Sequence, residues 1–548
     1  MSADLELEYA LAELPSAQHR AGLAGLVLMT RWLERQPKRN GLCEITRLDV
    51  NGATIRIDQT GLRELFDQCY AASAEEQAWE SKQTKKRKDG SKEEIPPIRE
   101  ELRTVVSPKT GKSKQKTVYI YPGVVPSGAF LSSYDPTANG HDGAWIKLWR
   151  DMIWGIMRGV PATREPFKKR ALGSYTDDAD DVWKELQRPP DYAVELPSTY
   201  YIGAQAANAE NVPFKDRARF QFLLHFWPFV AQVYVPARLV YDKKTKQEKT
   251  EFAGYALTIP DVANLGDFCE ELPSVLKSTR GTEMFGYRPR ESVIDVAAEG
   301  ALDLMNKLNQ RLATAAGNQS VSDLLLGVEV VHLEKQGNNI RLWSTARIDP
   351  IQSMIDEYAR VKARFHHHLF RKQRLLNVLN EQSWFSGFES LMCTTASEEI
   401  IESRFFRADA RAGFEDAKQN SHLMKGETEV VDKPEPSDQS SVEELIYQLV
   451  GTYITAKLNS KYQLKWSGVK GVSAKEADYG DKKAKIAKDA FLSVRSRTGS
   501  DFVDYFASTL CSFPQFLNEE GYATLAQELY NDADKVRTLT LLALSARG

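Results

Sequence analysis

Three side-chain amides lie close together in the loop that opens the stretch from Leu196 to Pro236: Gln205, Asn208 and Asn211. Each carries a donor and an acceptor side by side. Held on a rigid mount, such an amide can grip the exposed edge of adenine with two hydrogen bonds. The same residue types also suit ordinary turns and caps. A short basic step follows (Lys215, Arg217, Arg219), then an apolar run from Phe220 to Val235 that contains His225, Pro228 and Gln232. Its β-branched and aromatic residues favour a buried strand after Pro228. A polar loop hung directly on core is the arrangement that base reading requires.

Phosphate chemistry has several candidate carriers. Lys82, Lys85, Lys86, Arg87, Lys88 and Lys92 form one cluster. Lys109, Lys112, Lys114 and Lys116 form a second, at the tip of a predicted hairpin between Arg103–Val106 and Thr117–Tyr121. Lys243, Lys244, Lys246 and Lys249 repeat that design between two further strands, Val230–Tyr241 and Phe252–Ile259. A basic hairpin tip can follow a duplex and neutralise phosphates without reading sequence; a solvated loop has the same composition. Arg360, Arg364, His367, Arg371 and Arg374 recur at spacings of four and three along a helix predicted to open at Asp349-Pro350. That spacing puts them on one stripe, with little acid besides Glu357, and the pattern fits either phosphate tracking or a plain amphipathic helix. Near the C-terminal end, Lys482, Lys483, Lys485 and Lys488 lead a lysine-rich face suited to a single strand's backbone.

Catalytic chemistry finds no comparable constellation. His141-Asp142 resembles a nuclease dipeptide but lacks further ligands at matching spacing. His366, His367 and His368 cannot all reach one metal from a straight helix. Gly111-Lys112-Ser113 is no phosphate loop, because Val106 stands where the leading glycine belongs. The five cysteines are isolated, which implies neither a disulfide framework nor a zinc ribbon and points to a reducing cytoplasm. The expectation is a protein that is not an enzyme and uses no cofactor or metal. A nuclease built on His141 and Asp142 is the alternative.

The elements that must position these residues are legible in outline. At 548 residues, with 42% hydrophobic and 27% charged residues, the chain suits a soluble protein of several domains. A formal net charge of −3 excludes a uniformly basic nucleic-acid coat, so contacts must come from local patches. No signal peptide or membrane span is expected. Pro15-Ser16 starts a predicted helix to Leu33, where Gly22 and Gly25 suggest close approach of another backbone. His19 and Arg20 in its first turns suit capping or a phosphate. Asn51-Gly52 predicts a two-residue hairpin turn, with a helix after it from about Thr60 to Trp79. Trp145–Met157 reads as a buried helix, and Val328–Ile348 as a third hairpin. The fold class expected is α+β: a large N-terminal mixed domain (1–424) with antiparallel hairpins, a linker (425–440), and a C-terminal helical bundle (441–548).

Specific words in the chain resemble a known family. Gly203-Ala-Gln-Ala-Ala-Asn-Ala-Glu-Asn-Val-Pro-Phe-Lys215 and Leu223-Leu-His-Phe-Trp-Pro228 are similar to the large subunit of a type I CRISPR Cascade, in its MYXAN (I-B-like) branch. Glu13–Gly25, Leu148–Trp154 and Gly286–Glu291 fit the same family. The resemblance implies a subunit that recognises a motif beside the target in double-stranded DNA, promotes unwinding and R-loop formation, and holds the guide RNA 5′ handle. It implies backbone, handle-binding and small subunits as partners, and recruitment of a helicase–nuclease or, in transposon-linked versions, of transposition factors. Some systems of this branch make the small subunit from an internal start, for which Met424 is placed directly before the linker.

Overall fold

The computed structural model describes residues 4–37, 41–86, 91–106, 113–134, 143–156, 165–174, 176–196, 214–242, 247–278, 284–285, 288–314, 319–336, 339–427, 441–513 and 519–548. The chain forms two compact units, Met1–Gln352 and Ser353–Gly548.

The first unit is organised around the helix Ala17–Glu34, which is buried on nearly every side. It packs on strands Cys43–Leu48 and Tyr255–Val262 and on the turn Trp227–Phe229. One small sheet has the order Leu5–Ala10, Gly52–Ile57, Cys43–Leu48. The larger sheet runs Gln247–Phe252, Gln232–Asp242, Tyr255–Val262, Leu325–Gln336, Asn339–Ile348, with Val293–Ile294 added in parallel to Gln232–Asp242. Gly22 and Gly25 behave as their spacing predicts: a Cβ on either would come within 2.3 Å of a backbone oxygen, that of Leu223 or Phe226. The helix thus lies directly on the backbone of the apolar run.

Two local expectations give way to tertiary structure. The helix expected from Thr60 to Trp79 ends at Cys69, and Ala72–Trp79 is a strand paired with Ser113–Pro126, which in turn pairs with Arg99–Val106. A ready partner edge outweighs the helical propensity of Ala, Glu and Gln in that segment. The Asn51-Gly52 connection is not a turn of positive φ. The carboxylate of Asp49 accepts from the amides of Asn51 and Gly52, at 2.8 and 3.0 Å, and shapes the turn instead. Glycine is needed at 52 because a Cβ would sit 2.1 Å from the Tyr9 carbonyl oxygen.

The second unit is all helical. Its last helix, Ala533–Arg547, is buried from Val536 to Ala546 and contacts Phe388–Thr394, Arg404–Glu427, Val442–Tyr462 and Ser473–Arg495. Arg537 within it is only 2% exposed and is bonded to Glu389. The compact unit therefore begins at Ser353, and the helices of 353–427, expected from the sequence in the N-terminal domain, pack with the bundle. The long helix expected after Asp349-Pro350 is two helices, Gln352–Arg364 and His368–Leu379. Asp409, from a different helix, accepts from the amides of His366 and His367 at 2.9 and 2.7 Å and holds the chain broken there.

Candidate nucleic-acid interface

The amide loop carrying Gln205, Asn208 and Asn211 lies outside the described residues, but its mount does not. Ala193–Leu196 and Phe214–Arg217 pair antiparallel, with Leu196 opposite Phe214. The Ala218 amide donates to the Tyr192 carbonyl at 2.9 Å and closes the foot of this ribbon. Asp216 on its second strand is 2.9 Å from Nε2 of His19, whose Nδ1 is 2.8 Å from Ser16 Oγ. His19 is fully buried, so it ties the ribbon to the central helix and is not placed to meet a phosphate. Arg20 is partly exposed but committed: it donates to the buried Asp261 at 2.5 Å, and Asp261 also accepts from Arg347 at 2.7 Å. Downstream, His225 is buried against Tyr70, and burial lowers its pKa to about 4, which keeps it neutral.

Lys215 and Arg217 lie on the second strand of the ribbon, Lys215 opposite Glu195 and Arg217 opposite Ala193. Their side chains are 72% and 49% exposed, and their nearest carboxylates, Glu195 and Glu13, are 3.7 and 3.9 Å away. Exposed pairs at such separations contribute little, so both cations can exchange a carboxylate for a phosphate at small cost.

The other basic features differ in how far their charge is already answered. Arg87, Lys88, Lys109, Lys112, Lys243, Lys244 and Lys246 lie outside the described residues. Lys85, Lys86 and Lys114 fall within strands of paired ribbons. Lys116 is bonded to Glu80, Arg99 to Glu76, and Arg103 to Glu101, so this face mixes both signs. In the second unit, Arg360 pairs with Glu357 at 2.6 Å, Arg364 with Asp416 and Glu415, and Arg374 with Glu357. Arg374 is 4% exposed, and burial lowers even its pKa. With the helix broken before Arg371, these residues form no single exposed stripe. Lys488 bonds Glu402 at 2.5 Å and Lys482 lies 3.8 Å from Asp478. Lys485 is exposed, and Lys483 is half-buried among other cations.

Among the described residues, no group of three or more His, Cys, Asp or Glu is placed to hold a metal ion, and no helix is long and apolar enough to cross a membrane. His141 and Asp142 lie outside the described residues.

Residues 42–318 match the Type I-B CRISPR Cas8b N-terminal domain, and residues 325–547 match the Type I-B CRISPR Cas8b C-terminal domain. The chain belongs to the Cas8b family. It is a large subunit of a type I-B CRISPR interference complex, as the resemblance in its sequence implies. Large subunits of this kind are generally non-catalytic effector components. No curated protein matches the chain. The two family domains meet between 318 and 325, whereas the first compact unit runs on to Gln352. The difference is the hairpin 325–348, whose first strand pairs with Tyr255–Val262 and belongs physically to the larger sheet.

Proposed function

We propose that this large subunit tests the short motif flanking a target in double-stranded DNA and starts its unwinding toward an R-loop. In an RNA-guided complex, pairing reads most of the target and protein reads only that motif. The supporting observation is the ribbon 193–196/214–217: it carries the amide loop, is tied to the central helix through Asp216 and His19, and exposes Lys215 and Arg217 along its second strand. Gln205, Asn208 and Asn211 read base edges, while Lys215, Arg217 and the ribbon-tip lysines hold phosphates. The helical region takes the opened strands, and the N-terminal region meets the backbone subunits, the handle-binding and small subunits and the guide RNA. A helicase–nuclease is then recruited.

The test uses the assembled complex with duplexes that differ only in the flanking motif. Asn208→Ala should cost about 1–3 kcal/mol on the preferred motif and relax the preference. Lys215→Ala should weaken all motifs evenly and reduce the log–log salt slope by about 0.9. Unchanged affinity and preference in Asn208→Ala would remove the base-reading assignment.

A further inference from the structure

The second unit contains a cavity of about 340 Å³ lined by Gly451, Trp466, Tyr479, Lys483 and Arg547 among others. Its size falls within the usual range for small-ligand pockets, about 300–1,000 Å³. Its charge is what separates it from a packing gap. Three buried cations of the chain face carboxylates: Arg374 faces Glu357, Arg537 faces Glu389, and Lys307 lies 2.7 Å from Asp303. Burial lowers the pKa of Lys483, and the nearby cations Arg411, Arg547 and Arg407 add to that lowering. Arg407 donates to an oxygen of the terminal carboxylate on Gly548 and Arg411 to the Ala546 carbonyl, so these two cations are already answered at the C-terminal end of the last helix. Arg547 lies with its guanidinium 3.8 Å from the Tyr447 ring centre, and its buried Nε has no hydrogen-bond partner among the described residues. Like charges brought together in a partly dry space repel, and an anion placed among them relieves that repulsion.

The aromatic side of the cavity points to the kind of anion. Trp466 is 50% exposed, unusual for so large a ring, and its centroid lies 5.3 Å from that of Tyr479. An exposed aromatic ring beside Lys483 and Arg547, which line the same cavity, is the combination that stacks a base while holding its phosphate. Gly451 keeps the site open, since a Cβ there would come within 3.1 Å of the Arg547 guanidinium.

We propose that this cavity holds one nucleotide, its phosphate between Lys483 and Arg547 and its base against Trp466 and Tyr479. A unit of a single strand and a free nucleotide share that chemistry. The strand is the source favoured here, and that choice alone rests on the reading that the helical region takes opened strands.

The experiment titrates the full chain with fluorescently labelled dT15, and separately with dTMP by calorimetry. Trp466→Ala should weaken dT15 at least about fivefold, the lower bound for losing one base stack, while Trp466→Phe retains most of the affinity. Lys483→Gln should weaken dT15 and lower its salt slope by about 0.7. Saturable dTMP binding lost in these variants, with no dT15 binding, upholds the pocket and assigns a free nucleotide. Unchanged dT15 and dTMP affinity in both Trp466→Ala and Lys483→Gln overturns the proposal. So does displacement of dT15 by polyglutamate as readily as by unlabelled dT15, which would mark a surface for acidic protein. Motif-duplex binding tested with Lys215→Ala is a separate readout, so failure of the flanking-motif reading leaves these outcomes interpretable.

Discussion

Replacing Gly25 with alanine tests the contact on which the ribbon's mount depends. The added Cβ would lie 2.3 Å from the Phe226 carbonyl oxygen and 2.8 Å from its carbon. To reach ordinary contact, the two backbones must separate by roughly 1 Å. Neither side yields easily. The Phe226 carbonyl already accepts from the Phe229 amide at 3.2 Å, and the helix is packed on its other faces by two strands. Overpacking of this sort costs about 1–3 kcal/mol, against about 1 kcal/mol gained from alanine's better helix propensity. The contact is to backbone on both sides, which favours the upper part of that range and a net loss of about 1–2 kcal/mol. Gly22→Ala should behave alike, its Cβ meeting the Leu223 oxygen at 2.3 Å. Gly480, in the Ser473–Arg495 helix, has no atom within 4 Å of the place a Cβ would occupy, so Gly480→Ala should instead stabilise by up to about 1 kcal/mol. Urea unfolding of the full chain, followed by circular dichroism and tryptophan fluorescence, reads each compact unit. Gly25→Ala should lower the midpoint of the first unit and leave the second unchanged. A midpoint equal to or above the parent's would refute the close backbone approach.

Three further outcomes follow from particular side chains. His225 has a pKa near 4 when folded against an ordinary value of 6.5, so its contribution is complete above pH 6.5 and is lost as pH falls toward 4. That loss amounts to about 2 kcal/mol at pH 5, and His225→Phe should flatten this part of the first unit's pH–stability curve; an unchanged slope would show that His225 is not buried neutral. Glu357→Gln strands the buried Arg374 and should cost the second unit about 3 kcal/mol, whereas Arg374→Ala should leave the salt slope of DNA binding unaltered. A separate product starting at Met424 would lack Glu389, Arg407 and Arg411, which bond Arg537, the terminal Gly548 oxygen and the Ala546 carbonyl. It should therefore be poorly ordered when isolated; N-terminal sequencing of any short co-purifying chain checks the start, and one far from Met424 ends the idea.

What the sequence determined by itself is local and repetitive. Turn residues and polar tips between short strand-like runs marked the hairpins. The Gly22 and Gly25 spacing marked a close backbone contact one turn long, and several quoted words carried the family. Partnerships were decided only by the tertiary structure. Nothing near Arg364 in sequence foretells Asp416, nor does His19 foretell Asp216, 197 residues away. Asp409 broke a helix whose own residues favour continuing it, and a waiting strand edge turned Ala72–Trp79 from helix to sheet. The same holds for the cations of the cavity: Lys483 and Arg547 are far apart along the chain and meet only where their two helices pack. Periodicity reports which face a residue occupies. Whether its charge is then met by an acid or by a backbone carbonyl depends on distant segments that no local pattern specifies.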